Sequence, residues 1–288
     1  MLLMLLSLVA SEPVGMPPNQ ADQQATVKYL RALQTETGSF RASAKDQASL
    51  RSTVAAVRAL GYFGSEVPRS ADVVQFLLSC QDAKTGGFAD TPQGKPDPVV
   101  TAVALMGMAA LKIDNPKARD RAVAWMVAKA RTFEEIRMAA AGLEAAGARG
   151  ERNAEWIAVL RKQQNSDGTF GKANNLASET GGKVACLLRL GAMLSQTQQD
   201  AIVKALDKAQ QPDGGFAADA DQPSDLATTY RVLRTYHLLG RQPARPADLY
   251  AFLAKCRHPK GGYGIAPGQA PSASGCYMAG IVLSWLNK

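Results

Sequence analysis

The chain has 288 residues, with 33 Lys or Arg against 25 Asp or Glu, which gives a net charge of +8. The basic residues are scattered and no run of aromatic residues accompanies them, so the composition argues against a nucleic-acid partner. Four cysteines do not make a disulfide framework in a chain of this length, which excludes a disulfide-stabilised scaffold.

The chain begins with an apolar run, residues 1–10, followed by a segment of linker composition, residues 11–20. The run is too short for a transmembrane helix but fits the core of a secretory signal, with Leu8, Val9 and Ala10 before the cleavage site. If the run is a signal, the protein is expected to be exported, to the periplasm or the outside. If it is an ordinary first helix, the expected location is the cytoplasm. No transmembrane segment is predicted.

A glycine turn recurs along the rest of the chain, in which a Gln or Cys segment leads to glycine and then to an aromatic residue. The closing aromatics are separated by 48, 82, 46 and 47 residues; they are Phe40, Phe88, Phe170, Phe216 and Tyr263. A near-constant period indicates a repeat architecture. The step of 82 is nearly two periods, so we expect a further repeat without the signature, closed by Phe133. Six repeats then fill residues 21–288 as one domain.

Each repeat is predicted to be a helical hairpin, because an apolar-periodic segment precedes each turn and a second one follows it. The clearest second segment is residues 100–111, and several second segments end in Leu-Gly, the expected helix C-cap. Few runs alternate with period two, so strands are not expected. The last segment, residues 276–286, is as apolar as the middle ones, which favours a closed ring over an open array with polar ends. The second helices would then line a central funnel.

Gln-x-x-x-Gly-Gly-Phe turns at this period resemble the repeats of the protein prenyltransferase β subunits and of the squalene and oxidosqualene cyclases. The resemblance covers nearly the whole chain. It implies an all-α fold, an (α/α)6 toroid, and an isoprenoid or other apolar ligand in the funnel. It does not fix the reaction, because one fold supports many functions.

The turn aromatics also set a common register for the second helices. Five residues share one slot, thirteen positions after the aromatic or its equivalent when the Leu-Gly ends are aligned: Thr53, Thr101, Thr180, Thr229 and Cys276. This slot and the positions one and four before it share a helix face, which we expect to look into the funnel. Thr101, Thr229 and Cys276, together with Tyr230 and Tyr277, are therefore the predicted substrate-binding residues.

Class II terpene cyclases place an Asp-x-Asp-Asp-Thr motif at this level. Here the first aspartate position holds Asp97 and Asp225, the later acid positions hold other residues, and Glu179 is the one acid directly before the slot. If the chain is catalytic, Asp225, Asp97 and Glu179 are the candidate proton donors or bases. Asp97 precedes Pro98, so it and Asp225 are alternatively helix N-caps.

Protein prenyltransferases use zinc bound by an aspartate, a cysteine two residues later and a histidine in a following repeat. The segment from Ser274 to Tyr277 resembles the Asp-x-Cys-Tyr element, but serine occupies the aspartate position and no readable repeat has a histidine before the slot. One thiolate without partners is not expected to hold zinc. The sequence therefore predicts no metal and no cofactor.

Two functions remain open from the sequence. One is an isoprenoid- or lipid-directed enzyme with a divergent site, and the other is a non-catalytic toroid, outside the cytoplasm, that binds an apolar ligand or a protein partner. An apolar funnel with buried acids of raised pKa would favour the enzyme. A funnel filled by side chains beside an exposed apolar patch would favour the binding protein. A polysaccharide-active enzyme needs paired carboxylates along an aromatic groove, and no such groove is evident in the sequence.

Overall fold

The structure, a computed structural model, describes residues 15–287, so the predicted signal segment lies outside the described residues. Within this range the chain forms twelve α-helices and no strand, with a few isolated bridges in the turns. No helix of the described range has the length and apolar composition needed to cross a bilayer. The helices are α1 (Gln20–Ala32), α2 (Leu50–Tyr62), α3 (Ser70–Ser79), α4 (Pro98–Ala110), α5 (Pro116–Lys129), α6 (Phe133–Ala146), α7 (Asn153–Arg161), α8 (Leu176–Arg189), α9 (Gln196–Ala209), α10 (Leu226–Leu238), α11 (Pro246–Cys256) and α12 (Ala273–Leu286).

The even-numbered helices form an inner ring and the odd-numbered helices an outer one. Each inner helix contacts the next, and α12 contacts α2, so the ring is closed. Burial agrees with this division, because α10 and α12 bury eight and nine residues while α1 and α9 bury two each. The predicted all-α (α/α)6 toroid is confirmed.

Glycines allow neighbouring inner helices to approach closely. A Cβ atom on Gly107 of α4 would lie 2.6 Å from a methyl carbon of Val54 on α2. On Gly142 of α6 it would lie 3.0 Å from the Cα atom of Ala102 on α4. Larger side chains at these points would push the helices apart and widen the ring.

The glycine turns join each outer helix to its inner helix and also bind the next repeat. Their closing aromatics are fully or almost fully buried. In the fifth repeat, Gln210 Nε2 donates to the Gly214 carbonyl oxygen (2.8 Å) and to the Arg245 carbonyl oxygen (3.1 Å), at the start of α11. The turn is therefore part of the contact between repeats as well as a connection within one.

The third repeat lacks this turn. Residues 130–132 alone join α5 to α6, whereas 14 to 18 residues separate the two helices in the other five repeats. Phe133 is the first residue of α6, with Thr132 as its N-cap, so its prediction as the closing aromatic of a turn is wrong. The helix pair itself is present, and its missing loop accounts for the irregular step in the spacing.

Candidate functional site

The residues of the common slot on the second helices bind the turns and do not face the funnel. Thr229 Oγ1 accepts the N–H of Phe216 (3.0 Å), and Thr101 Oγ1 accepts that of Phe88 (2.9 Å). In the sixth repeat Cys276 Sγ takes the same place, 3.4 Å from the amide nitrogen of the turn aromatic. The expectation that this face looks into the funnel is wrong, because a buried turn N–H needs an acceptor and the slot residue supplies it.

We expect Thr229→Val to lower the free energy of unfolding by about 1–3 kcal/mol, because the buried N–H of Phe216 loses its acceptor. Urea unfolding followed by circular dichroism measures the loss. Thr229→Ser is the control, since it keeps the hydroxyl and removes a methyl group. A Thr229→Val variant as stable as the unmodified chain would mean that the hydrogen bond does not contribute to stability at this position.

The three predicted acids lie apart from one another. Asp97 and Asp225 are the N-caps of α4 and α10, and each accepts the backbone N–H three residues on, at 3.0 Å and 2.7 Å. Glu179 lies in the first turn of α8 and pairs with Lys183 at 2.6 Å. The structure does not bring these carboxylates together, and their role as proton donors stays a prediction.

Side chains mainly from the first halves of the inner helices enclose a cavity of about 290 Å³, here called the upper cavity. Its aliphatic lining residues lie mainly on α2, α4 and α6 and include Val54, Ala55, Val99, Val103, Met106 and Met138. Its polar lining residues lie on α2 and α6 as well as on α8, α10 and α12: Arg51, Arg58, Glu134, Arg137, Arg189, Tyr230, Arg231, Ser274 and Tyr277. Of the five predicted substrate-binding residues, Tyr230 and Tyr277 line this cavity, and Thr101, Thr229 and Cys276 do not.

Tyr230 and Tyr277 form a pair, with their hydroxyl oxygens 3.2 Å apart. Arg234 Nη2 donates to the Tyr230 hydroxyl (3.0 Å), and the Arg58 guanidinium lies 4.5 Å from the centre of the Tyr277 ring. Burial alone would raise the pKa of Tyr230, but the charges of Arg234 and Arg189 outweigh it and lower the pKa to about 7. Burial and the neighbouring Tyr230 raise the pKa of Tyr277, so Tyr277 remains the proton donor of the pair.

Two arginines beside the upper cavity are held by carboxylates. Arg137 forms a two-point ion pair with Glu134, with separations of 2.9 and 2.5 Å. Arg189 pairs with Glu144 at 2.9 Å and is almost fully buried. None of these residues was predicted from the sequence, although an arginine inside an otherwise apolar second helix was the available signal.

The second halves of the inner helices surround another cavity of about 450 Å³, here called the lower cavity. Its charged lining residues are Arg58, Arg189, Arg234 and Glu144. Four side chains line both cavities and therefore divide the funnel: Arg58, Met106, Ala141 and Arg189.

The residues at the zinc-like element do not fit a zinc site. Burial raises the pKa of the Cys276 thiol to about 12, and its sulfur accepts a backbone N–H, so it does not offer a thiolate at neutral pH. Ser274 stands where the element has its aspartate. Across residues 15–287, no three His, Cys, Asp or Glu side chains are grouped closely enough to hold a metal ion.

A closed ring of six helix pairs around a divided funnel defines an α/α toroid. The family model of the prenyltransferase alpha-alpha toroid domain matches residues 1–74, 66–127 and 136–288, and the chain belongs to this family.

Two known proteins and one solved structure are similar to this chain. The geranylgeranyl transferase type-2 subunit beta of Saccharomyces cerevisiae is 26% identical over 261 residues, which cover 82% of this chain and 80% of that protein. The protein farnesyltransferase subunit beta of Pisum sativum is 31% identical over 102 residues, or 34% of this chain and 24% of that protein. A type II terpene cyclase from Scytonema superposes with a TM-score of 0.63 at 15% identity, over 93% of this chain and 98% of that chain. At this identity the last likeness shows the fold alone.

Proposed function

We propose that the upper cavity binds an isoprenoid chain, or a similar apolar ligand, that carries a polar or anionic end. The observation that carries the proposal is the mixed lining of the cavity, which combines aliphatic side chains of α2, α4 and α6 with arginines of α2, α6, α8 and α10 and tyrosines of α10 and α12. Burying apolar surface contributes about 25 cal/mol per Å². The guanidinium and phenol groups supply donors for the polar end.

The similar proteins are named for isoprenoid groups or were solved with an isoprenoid ligand. The two transferase subunits are named for farnesyl and geranylgeranyl transfer. A variant of the Scytonema cyclase was solved with its substrate, geranylgeranyl dihydroxybenzoate, which joins an isoprenoid chain to an aromatic acid. A cavity of about 290 Å³ lies at the lower end of the size range of ligand sites, which favours a short or partly inserted chain.

The cavity supports binding better than carboxyl-driven cyclisation. Glu134 is the one carboxylate among its described lining residues. Burial would raise the pKa of Glu134, but the hydrogen bond and charge of Arg137 lower it. An ionised Glu134 has no proton to give to an alkene at neutral pH.

A second function, proton transfer on the bound ligand, is favoured by Tyr230. Tyr230 lines the cavity, and the charges of Arg234 and Arg189 lower the pKa of its hydroxyl, which makes it a better general base near neutral pH. In this case Tyr230→Phe keeps ligand binding and abolishes conversion of the ligand, which mass spectrometry of the bound and released compound detects.

The binding proposal is tested with geranylgeranic acid, using isothermal titration and thermal unfolding of the full chain. We expect Val103→Phe to weaken binding by about tenfold or more, because the larger ring takes up space in the cavity that the isoprenoid chain would occupy. Val159→Phe is the matched control, since Val159 lies exposed on the outer helix α7. Unchanged binding by Val103→Phe, or absence of binding by the unmodified chain, would refute the proposal.

The polar end of the ligand is tested separately. Arg137→Met is expected to weaken binding of the acid and to leave binding of geranylgeraniol nearly unchanged, because the alcohol carries no charge for the guanidinium to pair with. The same loss for both ligands would mean that Arg137 acts through packing.

A further inference from the structure

We infer that the lower cavity is a second binding site, for a phosphate or diphosphate group. It lies at the opposite end of the funnel from the upper cavity and goes beyond the function proposed for that cavity. Its volume of about 450 Å³ has room for a diphosphate and for part of an attached apolar group.

The charges around the lower cavity are unbalanced. Three arginines line it, Arg58, Arg189 and Arg234, against one carboxylate, Glu144, which leaves two positive charges in excess. Glu144 pairs with Arg189. Within residues 15–287 neither Arg58 nor Arg234 has a carboxylate at ion-pair distance. An oxyanion would supply the missing charge.

Arg234 has a hydrogen-bond donor that nothing in the described chain satisfies. The residue is 9% exposed, and its Nε atom is buried without a partner. Its Nη2 atom donates to Tyr230, and its guanidinium carbon lies 4.4 Å from the centre of the Trp285 ring. A buried donor left without a partner costs about 1–3 kcal/mol, so native structures seldom keep one without a reason.

Arg58 is held in a similar way. Its guanidinium carbon lies 4.5 Å from the centre of the Tyr277 ring, and Nη1 reaches the Met106 sulfur, a weak acceptor, at 3.3 Å. Stacking on an aromatic ring fixes the face of a guanidinium and leaves the N–H groups at its edge available. Arg58 and Arg234 therefore offer pre-positioned, charged N–H donors to phosphate oxygens.

The attraction of cations to helix C-termini explains the position of only one of the three arginines that line the lower cavity. The C-terminal end of a helix attracts cations, and Arg189 is the last residue of α8. Arg58 and Arg234, however, lie four residues before the ends of α2 and α10, and they contact rings. The dipole effect falls off within the last turn, so it does not explain their position.

Anion binding at this site is coupled to Tyr230. The positive charges that lower the pKa of Tyr230 are those of the arginines, so an anion that neutralises them raises this pKa. By linkage, the anion binds more tightly below pH 7, where Tyr230 is protonated. The titratable or charged groups facing Tyr230 come from five inner helices: Arg58, Arg137, Arg189, Arg234 and Tyr277.

The test is isothermal titration of the full chain with inorganic pyrophosphate at fixed ionic strength. We expect Arg234→Met and Arg58→Met each to weaken binding by about tenfold or more, since each removes charged hydrogen bonds to the anion. Arg119→Met, on the exposed face of α5, is the charge-matched control and should bind as the unmodified chain does. No binding by the unmodified chain to either pyrophosphate or dihexanoyl phosphatidate, or an equal loss in Arg119→Met, overturns the inference.

Three further measurements separate the alternatives. Dihexanoyl phosphatidate binds more tightly than pyrophosphate if the natural phosphate is carried on a lipid, and less tightly if it is free. Pyrophosphate should raise the pKa of Tyr230 in the unmodified chain, and an unchanged pKa counts against the site. This measurement does not depend on the folding of any variant. Val103→Phe should leave pyrophosphate binding unchanged, so failure of the upper-cavity proposal is distinguishable from failure of this one.

Discussion

Gly214→Ala is expected to lower the free energy of unfolding by about 3 kcal/mol or more. Gly214 has a φ of +98°, and a Cβ atom there would lie 1.9 Å from the carbonyl oxygen of Asp248 on α11. Backbone strain at such an angle costs about 1–3 kcal/mol in a residue other than glycine. The overlap is with backbone, so no side-chain rotation relieves it, and the fifth and sixth repeats must move apart. Urea unfolding measures the loss.

Gly191→Ala is the matched control for this substitution. Gly191 has a similar φ of +91°, but a Cβ atom there would meet no atom within 4 Å. We expect this variant to lose about 1 kcal/mol, which is the strain alone. The difference between the two variants measures the contact between repeats, and equal losses would mean that the turn does not hold α11 in place.

The turns could be recognised from sequence because each of their requirements is local. Gly214 and Gly261 need backbone angles of +98° and +97°, which L-residues rarely adopt. Phe216 and Tyr263 close the same turn in successive repeats and are buried to the same degree. Repetition of such local requirements at one period predicted the helix pairs, and the apolar last segment, residues 276–286, favoured the closed ring.

The orientation of the inner helices could not be predicted in the same way. Thr229 binds the turn, whereas Tyr230, the next residue, lines the upper cavity. Successive helical residues differ by about 100° in direction, so one position decides between the turn and the funnel. Spacing from the turn fixes the level of a residue along the ring axis but not the rotation of its helix. Phe133 was misassigned for a related reason, because its repeat has no loop from which to count.

The arginines of the funnel have no combined signature in the sequence. Arg58 and Arg234 are separated by 176 positions and belong to different repeats, but both line the lower cavity. Only ring closure brings them together. Asp97 and Asp225 were predicted because they occupy the first aspartate position of the Asp-x-Asp-Asp-Thr motif, and the structure shows that both cap helices. The chemistry of the funnel is consequently cationic and phenolic where the resemblance suggested carboxylates.

One tyrosine is expected to ionise near pH 7, and we assign this titration to Tyr230. Burial opposes ionisation, but the charges of Arg234, Arg189 and Arg58 and the hydrogen bond from Tyr277 favour the phenolate. The ultraviolet absorbance of tyrosinate, followed from about pH 5 to about pH 9, detects the transition. It is separate from the other shifted phenols, because burial raises the pKa of Tyr29, Tyr236, Tyr250, Tyr263 and Tyr277.

Tyr230→Phe should abolish the transition, and Arg234→Met should move it to higher pH because the largest favourable charge is removed. Tyr250→Phe, on the outer helix α11, should leave it unchanged. A transition that survives in Tyr230→Phe would place the ionising phenol elsewhere and remove the support for Tyr230 as a base.

The same shift should appear in the stability of the protein. The pKa of Tyr230 is lower in the folded chain than the usual value of 10.0, so its contribution to stability is lost as the pH falls through 7. Between pH 7 and pH 9 this group alone should raise the free energy of unfolding by up to about 1.4 kcal/mol per pH unit, and Tyr230→Phe should remove that slope. The range ends at pH 9 because the four buried thiols, whose pKa values burial raises to about 12, ionise there only in the unfolded chain and reverse the trend. A slope that is the same in both proteins would show that the arginine cluster does not hold Tyr230 as a phenolate.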